Sequence, residues 1–217
     1  MTAHISDPTH LFLNQSTLRA NALTCIRGER TLFTGLDLQV SAGEWLHVCG
    51  ENGIGKTSLL RLLAGLSKPA VGEIFWNDQA ISADVSEYHR NLLFLGHRDS
   101  LKEDLTALEN LSIATALDGV VVTEGEILLA LHRFGLRGRE DLPVHCLSAG
   151  QKRRVLLARL LLRQARLWIL DEPFNALDVR AVEMLSELIL EHITSGGMAI
   201  MTSHQEIPMP NGRVVQL

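Results

Sequence analysis

Nowhere does this chain hold the ~18–20 consecutive apolar residues that a membrane-spanning helix needs, so any association with a bilayer has to come through a partner. The N-terminal segment MTAHISDPTHLFLNQ has neither the basic start nor the apolar core of an export signal. Cysteine is sparse. Cys25, Cys49 and Cys146 stand far apart, form no CxxC or CxxCH, and offer no Cys/His spacing suited to zinc or to covalently attached haem. They read as reduced thiols of a cytosolic protein. Positive charge is also short: 20 Lys plus Arg face 25 Asp plus Glu, a formal charge of −5 with no lysine-rich block, which argues against a nucleic-acid partner. Neither a repeat nor a heptad array runs through the sequence.

What the chain does have is an ordinary globular balance, 46 % apolar and 21 % charged residues, with ample material for a buried sheet. Residues 1–15 are polar and contain Pro8, and are expected to form a loose leader; 16–217 are expected to form a single domain. Short apolar segments rich in β-formers, bounded by Gly, Pro or polar turns, predict strands at Leu36–Val40, Trp45–Cys49, Glu73–Trp76, Leu92–Leu95, Leu167–Leu170 and Met198–Thr202. Apolar residues recurring at three and four predict helices at Thr57–Leu66, Thr106–Leu117, Glu124–Phe134, Ala149–Gln164 and Val179–Thr194. That order describes an α/β fold, a mostly parallel sheet with a helical insertion at about 98–160.

The run Gly50-Glu51-Asn52-Gly53-Ile54-Gly55-Lys56-Thr57 fits GxxxxGK[ST], between the apolar strand WLHVC and the helical SLLRLLAGL, the context a phosphate-binding loop requires. Its glycines let the backbone wrap close to phosphate, so that successive N–H groups and the following helix N-terminus meet the negative charge. Lys56 then reaches the β and γ phosphates of a nucleotide, and the Thr57 hydroxyl ligates Mg²⁺. A Gly-rich turn before an ordinary helix is the plainer alternative, and strand, loop and helix in register weigh against it.

Further along, Leu167-Trp168-Ile169-Leu170-Asp171-Glu172 is an apolar strand ending in two carboxylates, which a buried parallel strand presents at its C-terminal edge. Asp171 is placed to hold the Mg²⁺ shell through water, and Glu172 to polarise the water that attacks the γ-phosphate. His204 follows a second apolar run, MAIMTS, and is expected at the same edge as a γ-phosphate sensor. A lone histidine is more often structural or exposed, but its place after the carboxylate pair favours the sensor role.

Between these halves, Leu147-Ser148-Ala149-Gly150-Gln151, followed by KRRVLLARLLL, resembles the LSGGQ signature of the ABC ATPases. Ser148 can cap the helix that begins near Ala149, and that N-terminus makes a second anion site. The resemblance covers about Leu18 to Leu217. It implies the P-loop fold of that family, in which a mostly parallel sheet carries an antiparallel β subdomain and a helical insertion. It implies ATP and Mg²⁺ as cofactors and a head-to-tail dimer, two ATP molecules lying between the phosphate loop of one copy and Ser148, Gly150 and Gln151 of the other. Asn175-Ala176-Leu177-Asp178 looks like the family's D-loop, with Asp178 communicating across the dimer. Two positions depart from the family: His97 stands where a glutamine usually contacts Mg²⁺ or water, and Arg27 stands near the usual adenine-stacking aromatic. Arg27 can stack its guanidinium on the base or simply be an exposed turn residue.

Arg27-Gly28-Glu29-Arg30, NGIGKTSLLRLLAGL and LGHRDSLKEDLTALENL together look like the ATP-binding subunits of the cytochrome c maturation system, the haem exporter ATPases. That resemblance implies a peripheral protein on the cytoplasmic face of a bacterial inner membrane, bound to a multispanning CcmB-like subunit, its hydrolysis driving haem delivery. Other exporters share the catalytic motifs. A chromosome- or ribosome-linked ABC ATPase would need a coiled coil or tandem cassettes, and a GTPase or small-molecule kinase would leave the signature and His204 unexplained. For Lys56→Ala, loss of the charge-assisted contacts to phosphate is expected to weaken nucleotide binding about 100-fold or more, measured by titration with a fluorescent ATP analogue.

Overall fold

A computed structural model describes residues 16–96, 100–204 and 207–217. The expected leader, 1–15, and His97 lie outside the described residues. The chain opens with two long antiparallel strands, β1 (Thr17–Arg27) and β2 (Arg30–Ser41), followed by β3 (Trp45–Cys49) and the helix α1 (Lys56–Leu63). Next come β4 (Val71–Trp76), β5 (Gln79–Ala80), α2 (Val85–Arg90) and β6 (Leu92–Leu95). Four helices then run in succession, α3 (Ala107–Leu117), α4 (Glu124–Arg133), α5 (Ala149–Leu157) and α6 (Arg159–Leu162). The chain returns through β7 (Leu167–Leu170), α7 (Val179–Thr194), β8 (Met198–Thr202) and β9 (Arg213–Gln216).

The strands form two sheets. One is antiparallel, in the order β2-β1-β4-β5; the other is parallel, in the order β6-β7-β8-β3-β9. All four residues of β7 and all five of β8 are buried, as expected of central parallel strands covered on both faces. Their alternation divides the interior in two. Leu167, Ile169, Met198 and Ile200 join α1 and the antiparallel sheet in one core, while Trp168, Leu170, Ala199 and Met201 join α3–α7 in the other. The parallel sheet is thus the wall both cores share, and its carboxyl edge is where their loops meet.

Local chemistry sets the helix starts. Thr106, Thr123 and Ser148 each accept a hydrogen bond from the third helical amide, and the Glu or Gln at that position answers to the cap residue's own N–H, a reciprocal capping box at α3, α4 and α5. The single helix expected over 149–164 divides at Ala158, where Leu161 N–H turns back to Ala158 O at 3.1 Å in a tightened turn. On α7, His192 stacks on Trp168 with ring centroids 3.8 Å apart and planes 2° from parallel. Burial holds this imidazole's pKa down at about 4, so it packs as a neutral ring.

Helix α2 was not expected from periodicity, yet it carries Tyr88, the only tyrosine of the chain, which is 1 % exposed. Its ring packs on Trp76 and its hydroxyl donates to Leu63 O at 2.5 Å, satisfying one of the orphan carbonyls at the end of α1. Tyr88→Phe is expected to leave that carbonyl unsatisfied and lower stability by about 1–2 kcal/mol, read from the midpoint of urea unfolding.

Candidate nucleotide site

Three adjacent parallel strands bring the chemistry together. In the order β7-β8-β3, their C-terminal ends release Asp171-Glu172, Ser203-His204 and the Gly50 loop on one edge. Within the loop, Gly50, Gly53 and Gly55 take φ values of 146°, 77° and 127°, a backbone that side-chain-bearing residues rarely adopt. Glu51, Asn52 and Ile54 ride between them, and Ile54 N–H closes the turn on Glu51 O at 3.3 Å. Lys56 is 7 % exposed, with its ammonium folded back over the loop, 2.7 Å from Gly50 O and 3.1 Å from Glu51 O. An ammonium has three donors, and among the described residues these two carbonyls engage it.

Asp171 is 1 % exposed and receives a hydroxyl on each oxygen: Thr57 Oγ1 donates to Oδ2 at 2.8 Å, Thr202 Oγ1 to Oδ1 at 2.6 Å. The first of these joins the phosphate loop to β7 and sets two hard oxygens side by side at the mouth of the loop. That donor set suits Mg²⁺, which takes one or two protein oxygens and fills its octahedron with water and phosphate. Thr57 and Asp171 are therefore the residues that would hold it.

Glu172 is the most constrained residue of the site. Its φ is 51°, left-handed for a residue that is not glycine, and every part of it is held. Its N–H donates to Thr202 Oγ1 at 2.9 Å and its carbonyl accepts from Arg153 Nη2 at 2.8 Å. Of its carboxylate oxygens, Oε1 lies 2.6 Å from His204 Nε2 and Oε2 accepts from Asn175 Nδ2. The side chain is 10 % exposed, while His204 is 44 % exposed and open to the same edge. A carboxylate so oriented, partnered by an imidazole, can accept a proton from a water and keep its direction while doing so.

The signature residues lie on the other half. Ser148 and Ala149 are exposed at the N-terminus of α5, and Ser148 and Gln151 bond each other across the first turn, at 2.9 Å and 3.3 Å. Among the described residues, no hydrogen bond or ion pair joins 148–151 to 50–57. Asp178 caps α7, and the Ala181 amide, with Arg154 beside it, holds the Asp178 carboxyl below the usual carboxylate range. Arg27 ends β1, exposed and paired with Arg30 across the Gly28-Glu29 turn. At the foot of the loop, burial raises the Cys49 thiol pKa against the pull of Lys56, leaving a poor nucleophile.

Two residues of the site escaped the sequence reading. Thr202 ends the apolar run MAIMT, and being the one polar residue in a buried strand is a signal that could have found it. Arg153 sits in the run KRR, where nothing local distinguishes a buried arginine from its exposed neighbours.

A family model described as ABC transporter matches residues 33–175. The chain belongs to the ABC transporter family, as its ATP-binding type of subunit. Within the family its likeness is to the cytochrome c biogenesis ATP-binding export proteins named CcmA. It is 50 % identical over 200 residues to that of Dechloromonas aromatica (strain RCB), covering 92 % of this chain and 98 % of the other. To that of Escherichia coli (strain K12) it is 49 % identical over 197 residues, covering 91 % and 93 %. A solved ATP-binding protein of an ABC transporter from Pyrococcus furiosus shares the fold, with TM-score 0.80, 27 % identity, and 93 % and 97 % of the two chains covered.

Thr202→Val keeps the volume but strips Asp171 of one donor and Glu172 N–H of its acceptor. Hydrolysis is expected to fall about 10-fold or more while nucleotide affinity stays within about threefold, measured by phosphate release alongside nucleotide titration.

Proposed function

We propose that this chain hydrolyses ATP to power a transporter of c-type cytochrome biogenesis, with haem export or delivery as the driven process. The observation that carries the ATPase half is the convergence, at one sheet edge, of the Lys56–Thr57 loop with the paired carboxylates Asp171 and Glu172. The cytochrome half is supported by the half-identical relatives and the names they carry.

In this reading the loop amides and Lys56 hold the β and γ phosphates, Lys56 exchanging its carbonyl partners for phosphate oxygens. Mg²⁺, when bound, neutralises charge across those phosphates. Glu172 takes the proton of the attacking water, and His204, beside it, donates to the transferring phosphoryl group. The exposed N-terminus of α5, with Ser148, Gly150 and Gln151, serves the nucleotide of a second copy, and Asp178 lies near that interface. Arg27 and His97 belong to the nucleotide-binding residues in this reading, Arg27 on the side of the base. No helix among the described residues is long and apolar enough to cross a membrane. In this reading the motion passes to a multispanning CcmB-like subunit at the cytoplasmic face of the bacterial inner membrane. A cleft of about 440 Å³ between α1, α2 and the helices α3 and α6 suits that contact. Its apolar rim residues Leu66 and Leu117 are 44 % and 83 % exposed.

Glu172→Gln is expected to bind ATP, to hydrolyse it about 100-fold more slowly, and to accumulate an ATP-dependent dimer. Tagged Glu172→Gln protein, recovered from detergent-solubilised membranes with ATP and Mg²⁺, should bring down a multispanning subunit and haem-handling proteins, identified by mass spectrometry. Recovery of an unrelated permease would remove the cytochrome assignment and keep the ATPase; a purely soluble set of partners would remove the transporter.

A further inference from the structure

We propose that Arg153 is a positioning residue that couples the signature helix to the carboxylate pair of its own chain, so that engagement of one nucleotide aligns the machinery acting on the other. The proposal rests on the paired-copy reading above. Arg153 lies on α5 two residues beyond the signature and is 6 % exposed. Its guanidinium donates through Nη2 to Asp171 O at 2.9 Å and Glu172 O at 2.8 Å. Nε reaches Pro173 O at 3.4 Å, and Nη1 reaches Gly96 O at 3.4 Å, at the end of the neighbouring strand β6. One planar cation thereby grips four main-chain carbonyls at the ends of β6 and β7.

Two further contacts bind the same helix to the same segment. Gly150 approaches so closely that a Cβ there would lie 2.6 Å from Ala176 O, and Arg154 pairs with Asp178. The signature turn is thus fastened to residues 171–178 at three points, of which Arg153 is the buried one. Arginine suits this role because its donors are fixed in one plane and its charge persists at all working pH values, so the fork and its carbonyls shift together. A lysine would offer one rotatable point charge. The carbonyl of Glu172 belongs to a residue held at φ 51°, where a small rotation of the peptide re-aims the carboxylate. The same helix starts with the exposed Ser148 cap, the part that meets the partner's nucleotide in the proposed dimer. Displacing the cap therefore displaces the fork, and with it the carboxylates.

The test uses the full chain with Arg153→Lys. Expected are nucleotide affinity within about threefold of the parent, an intact ATP-dependent dimer when combined with Glu172→Gln, and kcat lowered about 30-fold at unchanged KM. Ser148→Ala combined with Arg153→Lys should be strongly non-additive in kcat, because both act through one linkage. Additive effects, or hydrolysis within about threefold of the parent, would overturn the coupling. So would affinity, stability and rate falling together, the mark of a merely structural arginine. Should Arg153→Lys fail to fold, Arg153→Gln, whose planar amide keeps two N–H donors, takes its place: reduced hydrolysis with retained affinity supports the proposal and unchanged hydrolysis overturns it. If Glu172→Gln alone forms no dimer with ATP, the paired-copy reading falls and the coupling with it. A normal dimer with unimpaired Arg153→Lys removes the coupling alone.

Discussion

Everything at this site hangs on the side-by-side parallel pairing of β7, β8 and β3. Parallel strands release their chains on the same edge, so a phosphate loop and a carboxylate pair more than a hundred residues apart in sequence arrive one strand apart in space. The pairing is secure because these strands are buried on both faces, and sliding any of them would carry large apolar side chains from one core to the other. Two hydroxyls then finish what the sheet begins. Thr57 and Thr202 clamp Asp171 from opposite sides, and Thr202 also takes the amide of Glu172, so the strand ends are welded by short hydrogen bonds in a dry setting where such bonds are strong.

The strand regions that pack most deeply were also the most legible. The apolar runs at Trp45–Cys49, Leu92–Leu95, Leu167–Leu170 and Met198–Thr202 match the observed strands residue for residue, because continuous burial writes a continuous apolar segment. β1 went unread for a physical reason. Its buried residues are Leu18 and Ala20, then Leu23 and Cys25; Ala22, at φ 49°, sits where the pairing shifts register, so the inward phase moves from even to odd and no simple alternation survives. β9 is a mostly exposed edge strand, and of its residues RVVQ only Val215 turns partly inward, too little to betray it. The phosphate loop and the Asp-Glu pair were readable because backbone wrapping and metal chemistry demand particular residue types at fixed spacing. Arg153 was not, because burial of a cation by main-chain carbonyls leaves no mark on the local sequence.

The strain at Glu172 and the buried charge at Arg153 belong to one design. An unfavourable backbone conformation persists where its surroundings over-determine it, and Arg153, Thr202, Asn175 and His204 do so from four directions. Such a residue has little room for small adjustments: its partners hold together or the arrangement gives way. That makes the carboxylate a natural place for an on-or-off response rather than a graded one.

The inward fold of Lys56 has a kinetic meaning. Its ammonium bridges the carbonyls of Gly50 and Glu51, so a side chain of the loop braces the loop's own main chain. In a cradle braced from within, less of the binding free energy goes into ordering the loop, which favours fast and tight capture of an anion.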